Sequence, residues 1–423
     1  MKNNFIIKGD ICYSKSQNEL NTFEDKYLIC KDGISMGVFD EIFAEYKDFE
    51  VLDYSNKIVV PGLIDLHVHA PQYTYRGLGM DLELLEWLNT YTFPEESKYQ
   101  DLTYAKKSYE KFVNDLKFSS TTRASIFSTL HVDSTILLMD LLEESGMVTY
   151  VGKVNMDRNG IDTLQEKDAA ESESETKRWL AEIKGRYKNT FPILTPRFTP
   201  SCTDDLMARL GEIEKEYKLP VQSHLSENQS EIAWVKKLSP KSTCYGDSYD
   251  RFHLFGDFSK TIMAHCVWST EEEQKLLRER GVFIAHCPNS NLNLSSGIAP
   301  IRKYLEEGQN IGLGSDIAGG IHLSIFKQMS DAIQVSKMYW RLVDNDFLPL
   351  TIEEAFYLGT IGGGKFFGNV GSFDKDFEFD AVVIDDSDYR RDGLTLHQRL
   401  ERTIYISDDR HVIHKFIQGS KIF

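Results

Sequence analysis

IVVPGLIDLHVHAPQYTYRGLG, residues 58–79, is the stretch that decides how this chain folds. It begins with apolar residues and a Pro-Gly pair, and it continues into His67 and His69, which are separated by one residue. Side chains two positions apart in a strand point to the same face of the sheet. The two imidazoles are therefore predicted to project together. Two imidazoles at one strand end supply half of a metal site.

The region around this stretch, residues 58–367, alternates short apolar runs with long amphipathic segments, which is typical of βα units. Eight runs are predicted as strands: 58–67, 121–127, 148–154, 191–197, 221–224, 261–265, 282–286 and 311–315. Helices are predicted over 101–117, 171–187, 203–217, 270–280 and 323–342. Thr203, Thr270 and Thr351 are expected to be helix N-caps. Eight such units predict an α/β protein with a (β/α)8 barrel.

Both ends of the chain are predicted to be β-rich. The segments expected to be extended are 4–12, 27–30, 33–39 and 50–54 at the start, and 380–384, 400–405 and 411–416 at the end. Because chain termini often lie close together, these segments are predicted to form one small β-sandwich. The expected division is therefore 1–57 and 368–423 for the sandwich, and 58–367 for the barrel.

The charge of the chain excludes some classes of partner. Its 48 Lys and Arg against 65 Asp and Glu give a formal net charge of −17. Nucleic acid and anionic membrane surfaces require basic protein surfaces, so neither is expected as a partner. The six cysteines are scattered without a C-x-x-C pair, and no apolar run approaches the length of a membrane span. A cytoplasmic location is expected.

Polar side chains recur where the predicted barrel strands end, which is where the active sites of such barrels lie. They are His67, His69, Arg197, Phe198, His224 with the nearby Glu227, His265 and Asp316. Imidazole and carboxylate ligands suit Zn²⁺, and Fe²⁺ is the alternative. A bound metal lowers the pKa of water, and a nearby carboxylate takes its proton. The fourth strand ends in Arg197 rather than in a lysine, so a single metal is expected.

Other ionisable residues are assigned lesser roles. His286 follows the seventh strand, and it is either substrate-facing or structural. His131 and His322 are expected either to support the site residues from behind or to be structural. Asp65 lies one step deeper in the predicted barrel than the paired histidines, and it is interpreted as a supporting acid.

The order of these motifs resembles that of the metal-dependent amidohydrolase superfamily: PGLIDLHVHAPQ, two later histidines and GSDIAGG. The resemblance covers nearly the whole chain, and it implies the barrel with a β-sandwich built from both termini. Several stretches are more narrowly similar to the guanine-deaminating members of the superfamily. These stretches are 69–96, 195–202, 223–228, 263–268, 286–297 and 312–320.

The resemblance implies a role for each site residue. The metal would be held by His67, His69, His224 and Asp316. His265 would hydrogen-bond the hydroxide at the metal, Asp316 would also accept the proton of water, and Glu227 would donate a proton to a purine ring nitrogen. These three residues are the expected catalytic groups.

The resemblance also implies guanine as the substrate, with xanthine and ammonia as products. Gln72 and Arg197 would read the edge of guanine that carries its carbonyl, and Phe198 would pack on the ring. His224, Glu227 and Asp316 would face the substrate as well, and residues 87–93 would help to close the pocket. A homodimer is expected.

Two other functions remain open from the sequence. The chain fits another aminohydrolase, which would act on an adenine-like, cytosine-like or triazine ring and would differ at Gln72, Arg197 and Phe198. It also fits an inactive barrel that serves protein interactions, although every predicted metal ligand is present. The sequence lacks the H-x-E and P-C-x-x-C pattern of the other class of zinc deaminases.

Overall fold

The computed structural model describes residues 4–423, and it follows the predicted alternation of strands and helices. The strands are β1 (Phe5–Ser16), β2 (Glu19–Lys31), β3 (Ile34–Phe39), β4 (Glu50–Pro61), β5 (Leu63–His69), β6 (Thr121–Phe127), β7 (Val148–Gly152), β8 (Val154–Asn155), β9 (Thr190–Pro192), β10 (Thr195–Pro196), β11 (Val221–Leu225), β12 (Thr261–His265), β13 (Phe283–His286), β14 (Asn310–Leu313), β15 (Ala381–Ile384), β16 (Val412–Ile417) and β17 (Ser420–Lys421). The α-helices are α1 (Leu84–Trp87), α2 (Phe93–Ser97), α3 (Leu102–Phe118), α4 (Val132–Ser145), α5 (Ala169–Ile183), α6 (Asp204–Tyr217), α7 (Gln229–Leu238), α8 (Asp247–Asp250), α9 (Glu271–Glu279), α10 (Pro288–Asn293), α11 (Ile301–Glu306), α12 (Ile325–Leu342), α13 (Ile352–Tyr357), α14 (Gly363–Phe367) and α15 (Leu396–Ile406).

The central region is built from parallel strands, as the predicted (β/α)8 barrel requires. Two four-stranded sheets have the orders β5-β6-β7-β9 and β11-β12-β13-β14. On one side the sheets approach each other through β8 and β10, which pair in parallel, and through a bridge between Leu194 and Val221. On the other side, the amide of Asp316 donates to the carbonyl of His67 at 2.8 Å. The strand ends that carry the predicted site are thereby brought together.

Two of the predicted strands are divided. Residues 58–61 belong to β4, which pairs with β15 and β1 in another sheet, and the barrel strand β5 begins only at Leu63. Gly62 lies where the chain passes from one sheet to the other. A larger residue does not fit there, because its Cβ would lie 2.1 Å from Oγ1 of Thr122. The predicted run 191–197 is divided into β9 and β10. Pro192 and Pro196 lie at the ends of these two strands and have no amide hydrogen with which to continue the ladder.

Strands from both ends of the chain pair in one sheet, as expected of the two β-rich termini. Its seven strands are hydrogen-bonded in the order β17-β16-β15-β4-β1-β2-β3. The prediction of an extended segment at 400–405 is wrong, because these residues lie in helix α15. Thr395 and Gln398 form a capping box at the start of that helix, and the buried Leu396, Leu400 and Ile404 recur every fourth residue.

The helix starts read from the sequence are confirmed. The side chains of Thr203, Thr270 and Thr351 each accept a hydrogen bond from a backbone amide in the first turn. Asp168 caps α5 in the same way, at the start of the acidic stretch. Among the helices of residues 4–423, none is long and apolar enough to cross a membrane.

Candidate active site

A cavity of about 420 Å³ lies at the carboxyl ends of the barrel strands. It gathers side chains from distant parts of the sequence, as predicted. The predicted site residues that line it are His69, Gln72, Arg197, Phe198, His224, Glu227, His265 and Asp316. His67 is fully buried against this group. The strand ends therefore meet around one shared cavity.

Four of these side chains converge on one point. Nε2 of His69 lies 3.2 Å from Nε2 of His67 and 3.3 Å from Nε2 of His224. Oδ1 of Asp316 lies 3.2 Å from His67 Nε2 and 3.4 Å from His69 Nε2. Three imidazole nitrogens and one carboxylate oxygen thus face one another without an intervening side chain.

The spacing of most of these atoms suits a bound metal ion. Ligand atoms about 2.0–2.1 Å from a Zn²⁺ ion lie roughly 3.3 Å apart in tetrahedral geometry, and four of the six atom pairs lie 3.2–3.4 Å apart. The orientation of His224 agrees, because its Nδ1 lies 2.5 Å from the carbonyl oxygen of Arg197. That oxygen only accepts, so Nδ1 carries the hydrogen and Nε2 turns a lone pair toward the cluster.

His265 is placed beside this cluster. Its Nδ1 lies 2.9 Å from Oδ1 of Asn291, and its Nε2 lies 3.3 Å from Glu227 and 3.7 Å from Asp316. It also forms a group of possible metal-binding atoms with His67 and Asp316. Its ring nitrogen is therefore shared between two carboxylates, an arrangement suited to hydrogen bonding in the cavity.

Burial and neighbouring charges perturb the acids and bases of the site. Burial raises the pKa of Glu227 to about 7, although His265 opposes the shift. Burial also acts to raise the pKa of Asp316, but the adjacent imidazoles, His67 first, lower it on balance. The pKa of His69 and that of His224 are lowered well below the ordinary value, mainly by burial. The site thus contains one acid whose pKa lies near neutral pH and one whose pKa is lowered.

The backbone beneath the site is held in strained conformations. His265 and Asp316 have φ angles of 75° and 45°, a region that costs a non-glycine residue free energy and is often found at functional sites. Asp65 supports the same backbone, because its carboxylate accepts from the amides of His67 and Ser315 at 3.1 and 3.0 Å. It acts as the predicted supporting acid.

A second polar group faces the cavity away from the histidines. Arg197 forms an ion pair with Glu96, and its guanidinium carbon lies 4.9 Å from the centre of the Phe93 ring. Gln72 donates to the same Glu96 carboxylate at 2.8 Å and accepts from the amide of Ala318 at 2.9 Å. Gln72 and Arg197 are thus placed side by side, as expected of residues that read one edge of a ligand.

The sequence did not indicate several residues that complete the site. Glu96 binds Arg197 and Gln72, Ser296 donates to Glu227 at 2.8 Å, and Asn291 binds His265. Only Glu231 had a local signal, since the Asn228-x-x-Glu231 spacing is a capping box. The apolar wall of the cavity includes Trp87 and Leu88 from the predicted closing segment, together with Leu84 and Leu294.

The other histidines lie outside the cavity lining. His286 is buried, and burial lowers its pKa to about 3. His131 and His322 line separate surface depressions. None of the three is among the residues that line the central cavity, so the structure favours a structural role for His286.

Comparison with known proteins agrees with this geometry. The model of the Amidohydrolase family matches residues 58–422. The chain belongs to the amidohydrolase family. It is 41% identical to the guanine deaminase of Dictyostelium discoideum over 96% of this chain and 91% of that protein. It is 38% identical to the guanine deaminase of Homo sapiens over 99% of this chain and 96% of that protein.

Solved structures show the same similarity. The crystal structure of guanine deaminase from C. acetobutylicum with bound guanine in the active site has a TM-score of 0.97 and 46% sequence identity, covering 99% of this chain and 100% of that one. An adenosine deaminase from Xanthomonas campestris with bound zinc has a TM-score of 0.84 at 22% identity, covering 99% of this chain and 92% of that one. The second likeness shows the fold alone.

Proposed function

We propose that this chain is a hydrolytic guanine deaminase, which converts guanine and water into xanthine and ammonia. One observation carries the proposal: a single cavity contains a cluster of metal-binding type, a buried carboxylic acid and a pair of hydrogen-bond donors. The names of the most similar relatives support the same reaction.

We propose one zinc ion per chain, held by His67, His69, His224 and Asp316, with Fe²⁺ as the alternative. A metal ion bound there would supply a water molecule whose pKa is low enough to give hydroxide at neutral pH. The distances between the four ligand atoms support this choice. Metal analysis of the purified protein distinguishes zinc from iron.

The proton transfers are assigned to the chain's own carboxylates. Asp316, which is ionised, accepts a proton from the attacking water, and His265 holds the water in place. Glu227 donates to the ring nitrogen N3 as C2 is attacked, since its pKa of about 7 keeps a protonated form available. Asp316 then passes its proton to the amino group, which leaves as ammonia. The remaining hydroxyl proton returns to Glu227, and the oxygen of water becomes the new carbonyl oxygen.

The substrate is oriented by the remaining residues of the cavity. Arg197 and Gln72 donate hydrogen bonds to the carbonyl oxygen of guanine, and Phe198 packs on its ring. Trp87 and Leu88 close the cavity from the side of the segment 87–93. Replacing Arg197 by alanine removes the donor that best separates guanine from rings without a carbonyl.

The test is ammonia release from a panel of guanine, adenine, cytosine and a triazine, with metal content measured on the same sample. We expect release from guanine, with about one metal per chain. Release from another ring instead would support the metal-dependent reaction but assign the protein a different substrate. No release from any ring by metal-loaded protein would leave a hydrolase of unknown substrate, whereas a protein that binds no metal would favour the inactive scaffold.

We also propose that the protein is a cytoplasmic homodimer. The dimer is supported by the prevalence of two-fold symmetric oligomers. The location is supported by the six cysteines, none of which forms a disulfide bond within residues 4–423. Light scattering of the purified protein tests the first proposal, and fractionation of cells tests the second.

A further inference from the structure

Three buried residues beside the cavity form one hydrogen-bonded unit. Glu96, Arg197 and Gln72 are 1%, 3% and 2% exposed. The Glu96 carboxylate accepts from Gln72 Nε2 at 2.8 Å and from Arg197 Nη2 at 3.1 Å, both on Oε1, and from Arg197 Nη1 at 2.5 Å on Oε2. Gln72 and Arg197 line the cavity, whereas Glu96 stands behind them.

The carboxylate decides which way the Gln72 amide faces. An ionised carboxylate only accepts hydrogen bonds, so the side of Gln72 that meets Glu96 must be its NH₂ group. The other side, Oε1, accepts from the amide of Ala318 at 2.9 Å. With both ends fixed, Gln72 presents an N–H to the cavity. The guanidinium of Arg197 offers donors only.

We propose that Glu96 is a positioning residue that makes this wall of the cavity a donor-only surface, and that it thereby selects purines with an oxygen at C6 over purines with an amino group there. This inference rests on the proposed function, in which Gln72 and Arg197 read the carbonyl edge. The carbonyl oxygen of an oxopurine accepts from both side chains. A C6 amino group would instead point its N–H hydrogens at the N–H hydrogens of Gln72 and Arg197.

Glu96 also offsets the charge of the buried guanidinium. A buried arginine without a partner is costly to the fold. Paired with Glu96, Arg197 contributes directed hydrogen bonds while the pair remains neutral. A neutral ligand such as an uncharged oxopurine is therefore bound through its hydrogen-bonding pattern rather than through its charge.

The substitution Glu96→Gln tests this role. It keeps the shape of the side chain but replaces one of two accepting oxygens by an NH₂ group. Three N–H donors then compete for one oxygen, so Gln72 and Arg197 are no longer held in a single orientation. Glu95→Gln is the matched control, because Glu95 is the adjacent buried acid and instead accepts from Thr74 at 2.9 Å, from Lys98 and from Tyr104.

The measurement is calorimetric titration of the metal-loaded proteins with hypoxanthine and with adenine, which differ at C6. We expect the original protein to prefer hypoxanthine about 100-fold or more, because a site built to hydrogen-bond one group rejects its mismatch strongly. In Glu96→Gln this preference should fall by at least about tenfold, whereas Glu95→Gln should keep it.

Two outcomes would overturn the inference. Either Glu96→Gln keeps the original preference, or it loses affinity for both purines equally, which is the sign of a merely structural role. If Glu96→Gln does not fold, Glu96→Asp replaces it, and the same loss of preference is expected. The proposed function is tested separately, since a failure of the original protein to release ammonia from guanine concerns that function and not the role of Glu96.

Discussion

The hydroxyl of Ser296 donates a 2.8 Å hydrogen bond to Oε1 of Glu227, while Oε2 of the same carboxyl group lies 3.3 Å from Nε2 of His265. One oxygen of the proposed proton donor is thus hydrogen-bonded, and the other lies beside an imidazole nitrogen without a hydrogen bond to it. Trp268 in turn donates to the carbonyl of Ser296 at 2.6 Å, which fixes the loop that carries the serine. The position of Glu227 is therefore set by two segments: the end of β12 with the loop after it, and the loop after α10.

Replacing Ser296 by alanine should slow proton transfer without weakening substrate binding. The hydrogen bond from Ser296 lowers the pKa of Glu227, so its removal should raise that pKa and release one oxygen. We expect kcat to fall about tenfold, which is less than the 10²–10⁴-fold that a positioned acid contributes because Glu227 itself remains, with KM and metal content unchanged. Steady-state kinetics with metal analysis measures this. Ser290→Ala, at a buried serine of helix α10, is the control, and a change confined to KM would contradict the assignment.

Replacing Glu227 by glutamine should abolish turnover while the metal stays bound. Glutamine cannot deliver a proton, and removing such a group costs about 10²–10⁴-fold in rate. The four proposed ligands do not include Glu227, so metal content should remain near that of the original protein. Loss of the metal on purification of Glu227→Gln would instead place this residue among the ligands.

Replacing Asp316 by asparagine should affect both metal and rate. The change removes a negatively charged ligand that lies 3.2 Å from His67 Nε2, and it removes the proposed proton acceptor. We expect at least about a 10²-fold loss of kcat even in excess zinc, together with easier removal of the metal by a chelator. Near-normal turnover by Asp316→Asn would exclude Asp316 as the base.

Lys415 should make the stability of the fold depend on pH. Its Nζ donates to the carbonyls of Leu116 and Thr121 at 3.1 and 2.7 Å, and burial lowers its pKa from 10.5 to about 7. The lysine is charged in both states below about pH 7. Between that pH and 10.5, the proton is bound only in the unfolded state. Stability from this residue should therefore rise with pH across the window, by up to about 1.4 kcal/mol per unit.

Urea unfolding at pH 7 and pH 9 measures this effect. The free energy of unfolding of the original protein should increase relative to that of Lys415→Met as the pH rises. The exposed Lys421→Met is the control, and it should track the original protein at both values. A difference between Lys415→Met and the original protein that does not vary with pH would show that Lys415 keeps its ordinary pKa in the fold.

The parts of the site that the sequence predicted are those with a local pattern. His67 and His69 are two residues apart in one strand, and His224, His265 and Asp316 each follow an apolar run, so their common edge could be inferred. Glu96 could not be predicted in this way. It lies 101 residues from Arg197, and no periodicity marks a partner at such separation.

The differences between the predicted and the observed strands also have physical causes. The segment 400–405 is apolar enough to resemble a strand, but its capping box and its four-residue spacing make it a helix. Residues 58–67 form one apolar run in the sequence, yet they serve two sheets because Gly62 fits where a larger residue would meet Thr122. Amino-acid composition alone reveals neither the capping box of this helix nor the close approach of Gly62 to Thr122.

The shared sheet has a consequence for how the protein is made on the ribosome. Strand β4 pairs on one edge with β15, whose residues 381–384 are synthesised more than 300 positions later. Strand β4 immediately precedes the strand that carries His67 and His69. Until β15 is made, the backbone N–H and C=O groups on this edge of β4 have no strand to pair with. The strand that carries His67 and His69 is therefore synthesised early, whereas the sheet beside it is completed late. A nascent chain that stalls before residue 381 exposes an unpaired strand edge that can pair with other chains.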